Sequence, residues 1–325
     1  MHSIFSRSSG IVLSIAVLIA VFGAGISDAQ DIKGTVKIVV PYPPGGGTDV
    51  ISRLVAEKIK SILGQTVIIE NKPGAGGIVG TQYAKGLPAD GTTLLAMNPA
   101  LFVVNPMVYS NLPYDTDKDF APVSQAQTYR FCVAVPAASP IKDFKGLIEW
   151  LKKNPQQANY GTPAAGSLPH FFGMMISKYA GVELVHSSFN GSAKLVTALI
   201  GNQIPMAVDN YESQMPFHPE KTRILATSGS SRKQPDVPTF LELGYKEMDG
   251  EGWNGYVTPG KTPKPIVDKL SSAIREAIKA PEIREKAKQL GMDPTGTTAE
   301  EFAGIIKRDR EKWGPIIKAS GFKVD

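Results

Sequence analysis

From Val36 onward the chain alternates β-branched runs with amphipathic stretches and places glycine at the joints. The sharpest case is "VKIVVPYPPGGGTDVISRLVAEKI", Val36 to Ile59. An apolar strand meets three consecutive glycines and then a helix, on which Ile51, Val55, Ile59 and Ile62 repeat along one face. Such alternation predicts an α/β fold with parallel sheets. A first block runs from this strand through "TVIIENK", the helix opening at "GIVGTQYAKG" and the strand "TTLLAM", ending near Asn98. A second reads strand "FCVAVP", helix "DFKGLIEWLKKNP", strand "ANYGTP", helix "LPHFFGMMISKYAG", strand "VELVHSSF", helix "GSAKLVTALIGNQ", then strands "IPMAVDN" and "TRILATSG". After a strand in "GWNGYVTPG", the helices in "KPIVDKLSSAIREAIK", "PEIREKAKQLG" and "AEEFAGIIKRDREKWGPIIKASG" have no strand of their own, so they must return to cover the first block.

The expected architecture is therefore a two-lobed α/β clamshell, each lobe a sheet sandwiched by helices, with two hinge crossings near Gln125–Tyr129 and Gly250–Gly260. Lobe 1 takes residues 30–126 plus 251–325, and lobe 2 takes 127–250. The cleft between them is the default ligand site.

The first residues carry an address. A polar start with Arg7, an apolar run from Ile11 to Ile26 and then Ser27-Asp28-Ala29 form a signal peptide over residues 1–29. The run is shorter than the roughly 20 residues a membrane span needs, so the expected product is a periplasmic protein. Cys132 is the single cysteine, which excludes an intrachain disulfide and a thiolate metal site. The formal charge of +5 is spread over positions such as Lys58, Lys60, Lys152 and Lys153, a solvated surface rather than a nucleic-acid footprint. His170, His186 and His218 lack metal-ligand spacing. No metal, no cofactor and no nucleic-acid partner are expected, and the chain is expected to be a monomer.

In open α/β sheets ligands collect beyond the carboxyl ends of strands, where loops lead into helix N-termini. Gly45, Gly46 and Gly47 hold that place. Their amides can converge with the helix dipole on an anion, Thr48 is placed to be the N-cap, and Asp49 favours the first turn. An ordinary tight turn is the alternative for this motif alone. Three further strand-to-helix turns support the anion reading: "NKPGAGGIVG" in lobe 1, "YGTPAAGSLPH" and "SSFNGSAK" in lobe 2. Together they make a neutral cradle suited to a small organic anion. A dinucleotide fingerprint fails because Val79 stands where "GAGGIVG" needs glycine, and no acidic residue follows at the proper distance. No Gly-Lys-Ser/Thr phosphate loop and no G-x-S-x-G elbow occur, and Pro140 spoils the S-x-x-K match of Ser139–Lys142.

"PYPPGGGTDVISRLVAEKI", "LGQTVIIENKPGAGGIVGTQYAKGLPADGTTLL", "NLPYDTDKDFAPVS", "NYGTPAAGSLPH", "DVPTFLELG" and "KWGPIIKASG" occur in this order. Together they resemble the periplasmic receptors of tripartite tricarboxylate transporters, the Bug family, over nearly the whole chain after the leader. The resemblance implies a type II periplasmic-binding fold that captures an organic acid and delivers it to two integral membrane subunits. It places ligand contacts at Tyr42, Pro44, Gly45, Gly46, Thr48, Asp49, Gly76, Gly77, Asn98 and Ala100 in lobe 1. In lobe 2 it places them at Thr162, Gly166, Ser167, His170, Phe189, Asn190, Gly191 and Asp209. Where the family usually reads Val-Pro-Tyr-Lys-Gly after His186, this chain has Ser187-Ser188-Phe189-Asn190-Gly191, so a phenol and a cation are absent. Phe189 and the missing lysine tilt the ligand toward a less charged or partly apolar acid. The alternatives are an α/β enzyme acting on a small carboxylate, and a sensor of the same fold not dedicated to transport. Asp49 is expected to turn its carboxylate to backbone donors and away from the ligand. Trp253, in the second crossing, is expected to report lobe closure, with Trp150 and Trp313 peripheral.

Intact-mass measurement of protein exported to the periplasm should give a chain beginning at Gln30, and a species retaining Met1–Ala29 would contradict the cleavage.

Overall fold

The computed structural model describes residues 31–324, so the expected signal peptide lies outside the described residues. The first block is β1 (Val36–Val40), α1 (Gly47–Leu63), β2 (Val67–Asn71), α2 (Ile78–Lys85) and β3 (Thr93–Met97), followed by the short α3 (Asn105–Val108) and a long β4 (Phe120–Tyr129). The second is β5 (Phe131–Pro136), α4 (Phe144–Lys153), β6 (Asn159–Thr162), α5 (Leu168–Ala180), β7 (Val185–Ser188), α6 (Ser192–Ile200), β8 (Ala207–Asn210), α7 (Tyr211–Gln214) and β9 (Thr222–Thr227). The chain then returns through β10 (Gly252–Pro259), α8 (Lys264–Lys279), α9 (Pro281–Gln289), β11 (Asp293–Pro294) and α10 (Ala299–Ala319). The six-stranded sheet has the order β11-β4-β10-β3-β1-β2, and the five-stranded sheet β7-β6-β8-β5-β9.

Neither sheet is purely parallel, contrary to the expectation from strand–helix alternation. β10 enters antiparallel between β3 and β4, and β5 runs antiparallel to both β8 and β9. The cause is the double crossing: a strand that returns from the other sheet re-enters from the edge it left. β4 pairs with β10 as far as Tyr129 opposite Gly252, so the change of sheet falls at Arg130 rather than at residue 126.

The same registers place the cleft. Gly255 of β10 lies opposite Met97, the last residue of β3, so β4 leaves the first sheet at the carboxyl edge of its parallel strands. Phe131 of β5 lies opposite Asn210, the last residue of β8, and β8 is parallel to β6. The carboxyl edges of both sheets therefore meet at the crossings, and every glycine turn singled out in the sequence opens there.

α1 shows how local sequence positions such a turn. Ile51, Val55 and Ile59 are fully buried, and Gly64 ends the helix in the left-handed region at φ 64°. Under α10 a buried apolar cluster runs without a break from Leu95 and Phe102 through Trp253, Phe302 and Trp313 to Phe131, Phe172 and Val208. It packs the lobes onto one another, and truncating one of its aromatics would cost about 3–5 kcal/mol.

The tryptophans fall differently from the sequence expectation. Trp253 is locked: its Nε1 donates to Asp309 Oδ2 at 2.6 Å and its ring stands edge-on to Phe302. Trp313 is not peripheral. It is fully buried on α10, with its ring 5.3 Å from that of Phe172 on α5 and close against Gly250 at the second crossing. Trp313 thus touches both lobes, whereas Trp253 stays within the first. Any change in tryptophan emission on adding a binding acid should vanish in Trp313→Phe and persist in Trp253→Phe, and the reverse pattern would return the reporter to Trp253.

Candidate functional site

The turn after β1 is built around Asp49. Gly45 adopts φ +91°, which favours glycine, and from there its N–H donates to Asp49 Oδ2 at 2.9 Å. Arg53 Nε reaches the same oxygen at 2.8 Å, while Asn71 Nδ2 and Arg53 Nη2 reach Oδ1 at 2.8 and 3.0 Å. Burial pushes the Asp49 carboxyl up, but the bonds from Arg53, Asn71 and the Gly45 amide outweigh it and hold the group below the usual carboxylate range. The carboxylate thus points to protein donors, and Arg53 balances its charge.

Thr48 is not the N-cap. Gly46 is, with extended φ −76° and ψ 163° and no side-chain cap, while the buried Thr48 donates its hydroxyl to Asn254 Oδ1 at 2.7 Å. Because no side chain caps α1, the N–H groups of Gly46, Gly47 and Thr48 find no acceptor among the described residues. Pro44, Gly45, Gly46 and Gly47 are exposed. Behind this turn Asn98 Nδ2 donates to the Tyr42 hydroxyl at 2.9 Å, and the Tyr42 ring closes on Gly77, where an added Cβ would lie 3.3 Å from it. Gly77 sits at φ +101° and Gly76 at φ +63°, so this second turn, with Asn98 and the half-buried Ala100 beside it, belongs to the same lobe-1 wall.

The lobe-2 residues divide. Phe189 N–H donates to Thr162 O and Gly191 N–H to Pro163 O, which ties the loop after β7 to the loop after β6. Asn190 and Gly191 are exposed and Ser167 half-buried, with its hydroxyl given to Ala164 O at 2.7 Å. Other expected contacts are turned inward. Phe189 packs on the core with Leu195 and Ile204, its ring filling the space above Gly161. The ring is half-buried, so much of the phenyl is spent on the core, which weakens its support for an apolar acid. Thr162 is fully buried, donates to Ala164 O at 3.0 Å and lies 2.7 Å from His186 Nε2, which must then carry the proton. His170 accepts from Gly166 N–H on Nδ1, stacks on His186 with centroids 3.9 Å apart, and is covered by the C-terminal Phe322. Burial, and after it the neighbouring His186, push His170 down to about 4.

Asp209 is fully buried at the end of β8 and accepts from Ser192 Oγ at 2.6 Å, Asn210 N at 2.8 Å and Gln214 Nε2 at 2.9 Å. Its side chain is enclosed by protein and anchors the start of α6 through Ser192. Two cavities lie away from all these loops. One of about 880 Å³ runs between α5 and α10, lined by Met174, Val182, Pro315 and Ile316. One of about 390 Å³ lies at the far end of the second sheet, beside Trp150 and Asn159. Among the described residues there is no cluster of three metal-ligating side chains and no helix long and apolar enough to cross a membrane.

Burial raises Asp209 from 3.8 to about 6 despite its three hydrogen bonds. The folded value lies above the unfolded one, so the native state holds the proton more tightly. That contribution is complete below about pH 4 and is lost as pH rises through about 6. Between pH 4 and 7 the wild type should lose stability relative to Asp209→Asn by an amount on the order of 3 kcal/mol. Parallel stability–pH curves for the two proteins would mean that Asp209 titrates normally.

The fold is shared with known proteins. The profile of the tripartite tricarboxylate transporter family receptor, TctC, matches residues 51–322. A protein of Pseudomonas sp. from the tcbD–tcbE intergenic region is 33% identical over 283 residues, covering 86% of this chain and 84% of its own. The solved structure of the periplasmic binding protein BugD superposes with a TM-score of 0.77 at 30% identity, covering 90% of this chain and 99% of that one. Two proteins of Rhodopseudomonas palustris, one solved with adipate and one with malate, superpose at TM-scores of 0.80 and 0.76, each 26% identical. They cover 90% and 87% of this chain and 98% of their own. A two-lobed α/β chain whose turns open on one interlobe edge, matched over most of its length by these receptors, belongs to the TctC or Bug family of periplasmic solute-binding receptors.

Proposed function

We propose that this receptor takes a small organic acid into the interlobe cleft, with one carboxylate on the amides of Gly46, Gly47 and Thr48. It then presents the acid, in the periplasm, to two integral membrane subunits of a tripartite transporter. The observation that carries the reading is the unspent start of α1. Three N–H groups point out of the positive end of a 17-residue helix. The carboxylate that would compete for them, Asp49, is turned away and balanced by Arg53. Hydrogen bonds from these amides to a carboxylate are charge-assisted, the strong kind.

The acid class draws on the relatives solved with adipate and malate, both dicarboxylic acids. The transporter partnership draws on the family to which the chain belongs. Among the buried or half-buried hydroxyls of lobe 2, Thr162, Ser167 and Ser192 give their protons to carbonyl or carboxylate oxygens. That arrangement favours holding a ligand over attacking one.

Gly46→Val separates the site from the fold. A Cβ at Gly46 meets nothing within 4 Å and the residue's φ suits any amino acid, so the substitution fills only the space beside the free amides. Loss of a favoured N-cap costs on the order of 1 kcal/mol. Calorimetry with the best acid from a thermal-shift screen should show binding abolished in a folded Gly46→Val protein. Unchanged affinity would reduce the glycines to a turn.

A further inference from the structure

The hydroxyls on the lobe-2 cleft loops are nearly all committed. Thr162 donates to Ala164 O, Ser167 donates to the same carbonyl, and Ser192 donates to Asp209. Ser188, the last residue of β7, differs. Its Oγ accepts the Ala165 N–H at 2.9 Å, and its own proton has no acceptor among the described residues. The preceding Ser187 lies on the other face of the strand. Ser188 is exposed at the seam between the two loops that Phe189 N–H and Gly191 N–H tie together. The bond from Ala165 fixes the oxygen, so the remaining proton must point away from that loop. Two residues on, the exposed Asn190 offers an amide that also has no partner among the described residues.

We infer that Ser188 is a specificity-determining donor: its hydroxyl, with the Asn190 amide beside it, holds an acceptor oxygen at the end of the ligand remote from Gly46. This rests on the receptor reading above and adds the ligand class, an acid with a second carboxylate or carbonyl oxygen at its far end, met by neutral donors. Phe189, turned into the core, does not compete for that position.

The test pairs each α,ω-dicarboxylate of four to eight carbons with the monocarboxylate of equal length, measured by calorimetry on wild type, Ser188→Ala and Ser188→Thr. Ala165 is exposed, so water replaces the lost acceptor in Ser188→Ala and the fold survives. The diacid that binds wild type best should lose about ten-fold in affinity in Ser188→Ala. Its monocarboxylate should bind both proteins alike, and Ser188→Thr should restore the diacid. Equal weakening of diacid and monoacid would mean that Ser188 only stiffens the loop and would overturn the inference. So would an unchanged diacid. If no diacid of the series binds wild type, the ligand class is wrong and this inference falls, while the carboxylate site at α1 is decided separately by Gly46→Val.

Discussion

A helix that begins without a side-chain cap leaves backbone donors unsatisfied, and α1 begins that way at the point where two sheets present their carboxyl edges. The rest of the site follows from how the chain keeps those donors free. Asp49 is the side chain best placed to take them. It is drawn instead into the turn by Gly45, Arg53 and Asn71. Tyr42 and Asn98 then form a floor of neutral donors and acceptors behind the exposed glycines. The start of α6 likewise has no side-chain cap; there the buried Asp209 holds the Ser192 hydroxyl and leaves the first amides of the helix untouched.

The two lobes are not free bodies. Arg130, the single residue between β4 and β5, pairs with Glu251, which precedes β10, at 3.2 Å, so the two crossings are tied to one another. Lys233 of the second lobe reaches Asp293 Oδ2 at 2.8 Å and the carbonyl of Gly291 at 3.1 Å in the first. Phe322 lies against His170 while Lys323 and Val324 hold the carbonyls of Met107 and Val108. With the buried cluster under α10, these contacts join the lobes beside the crossings.

The strands and glycine turns were legible because their signals are local: β-branched runs, one apolar helix face, glycine where the chain must turn. β4 was not, since "FAPVSQAQTY" mixes glutamine, serine and threonine with few large apolar residues and earns its strand only by pairing with β10. Antiparallel insertion depends on partners far away in sequence, and no local pattern carries it. Asp49 was read from charge alone, because a carboxylate beside an anion site must be turned away. Phe189, His170 and Asp209 turn inward for one shared reason. Each sits on a cleft loop, but tertiary packing against Leu195, Phe322 and Gln214 decides where its side chain goes.

The central claim is that backbone N–H groups at the start of α1 hold a ligand carboxylate. Amide-resolved NMR during titration with adipate or malate, whichever binds, tests it without any mutation. The amide protons of Gly46, Gly47 and Thr48 should move downfield together and saturably, while Gly45, already bonded to Asp49, moves least. Saturable binding that leaves those three amides unshifted would place the carboxylate elsewhere and contradict the account.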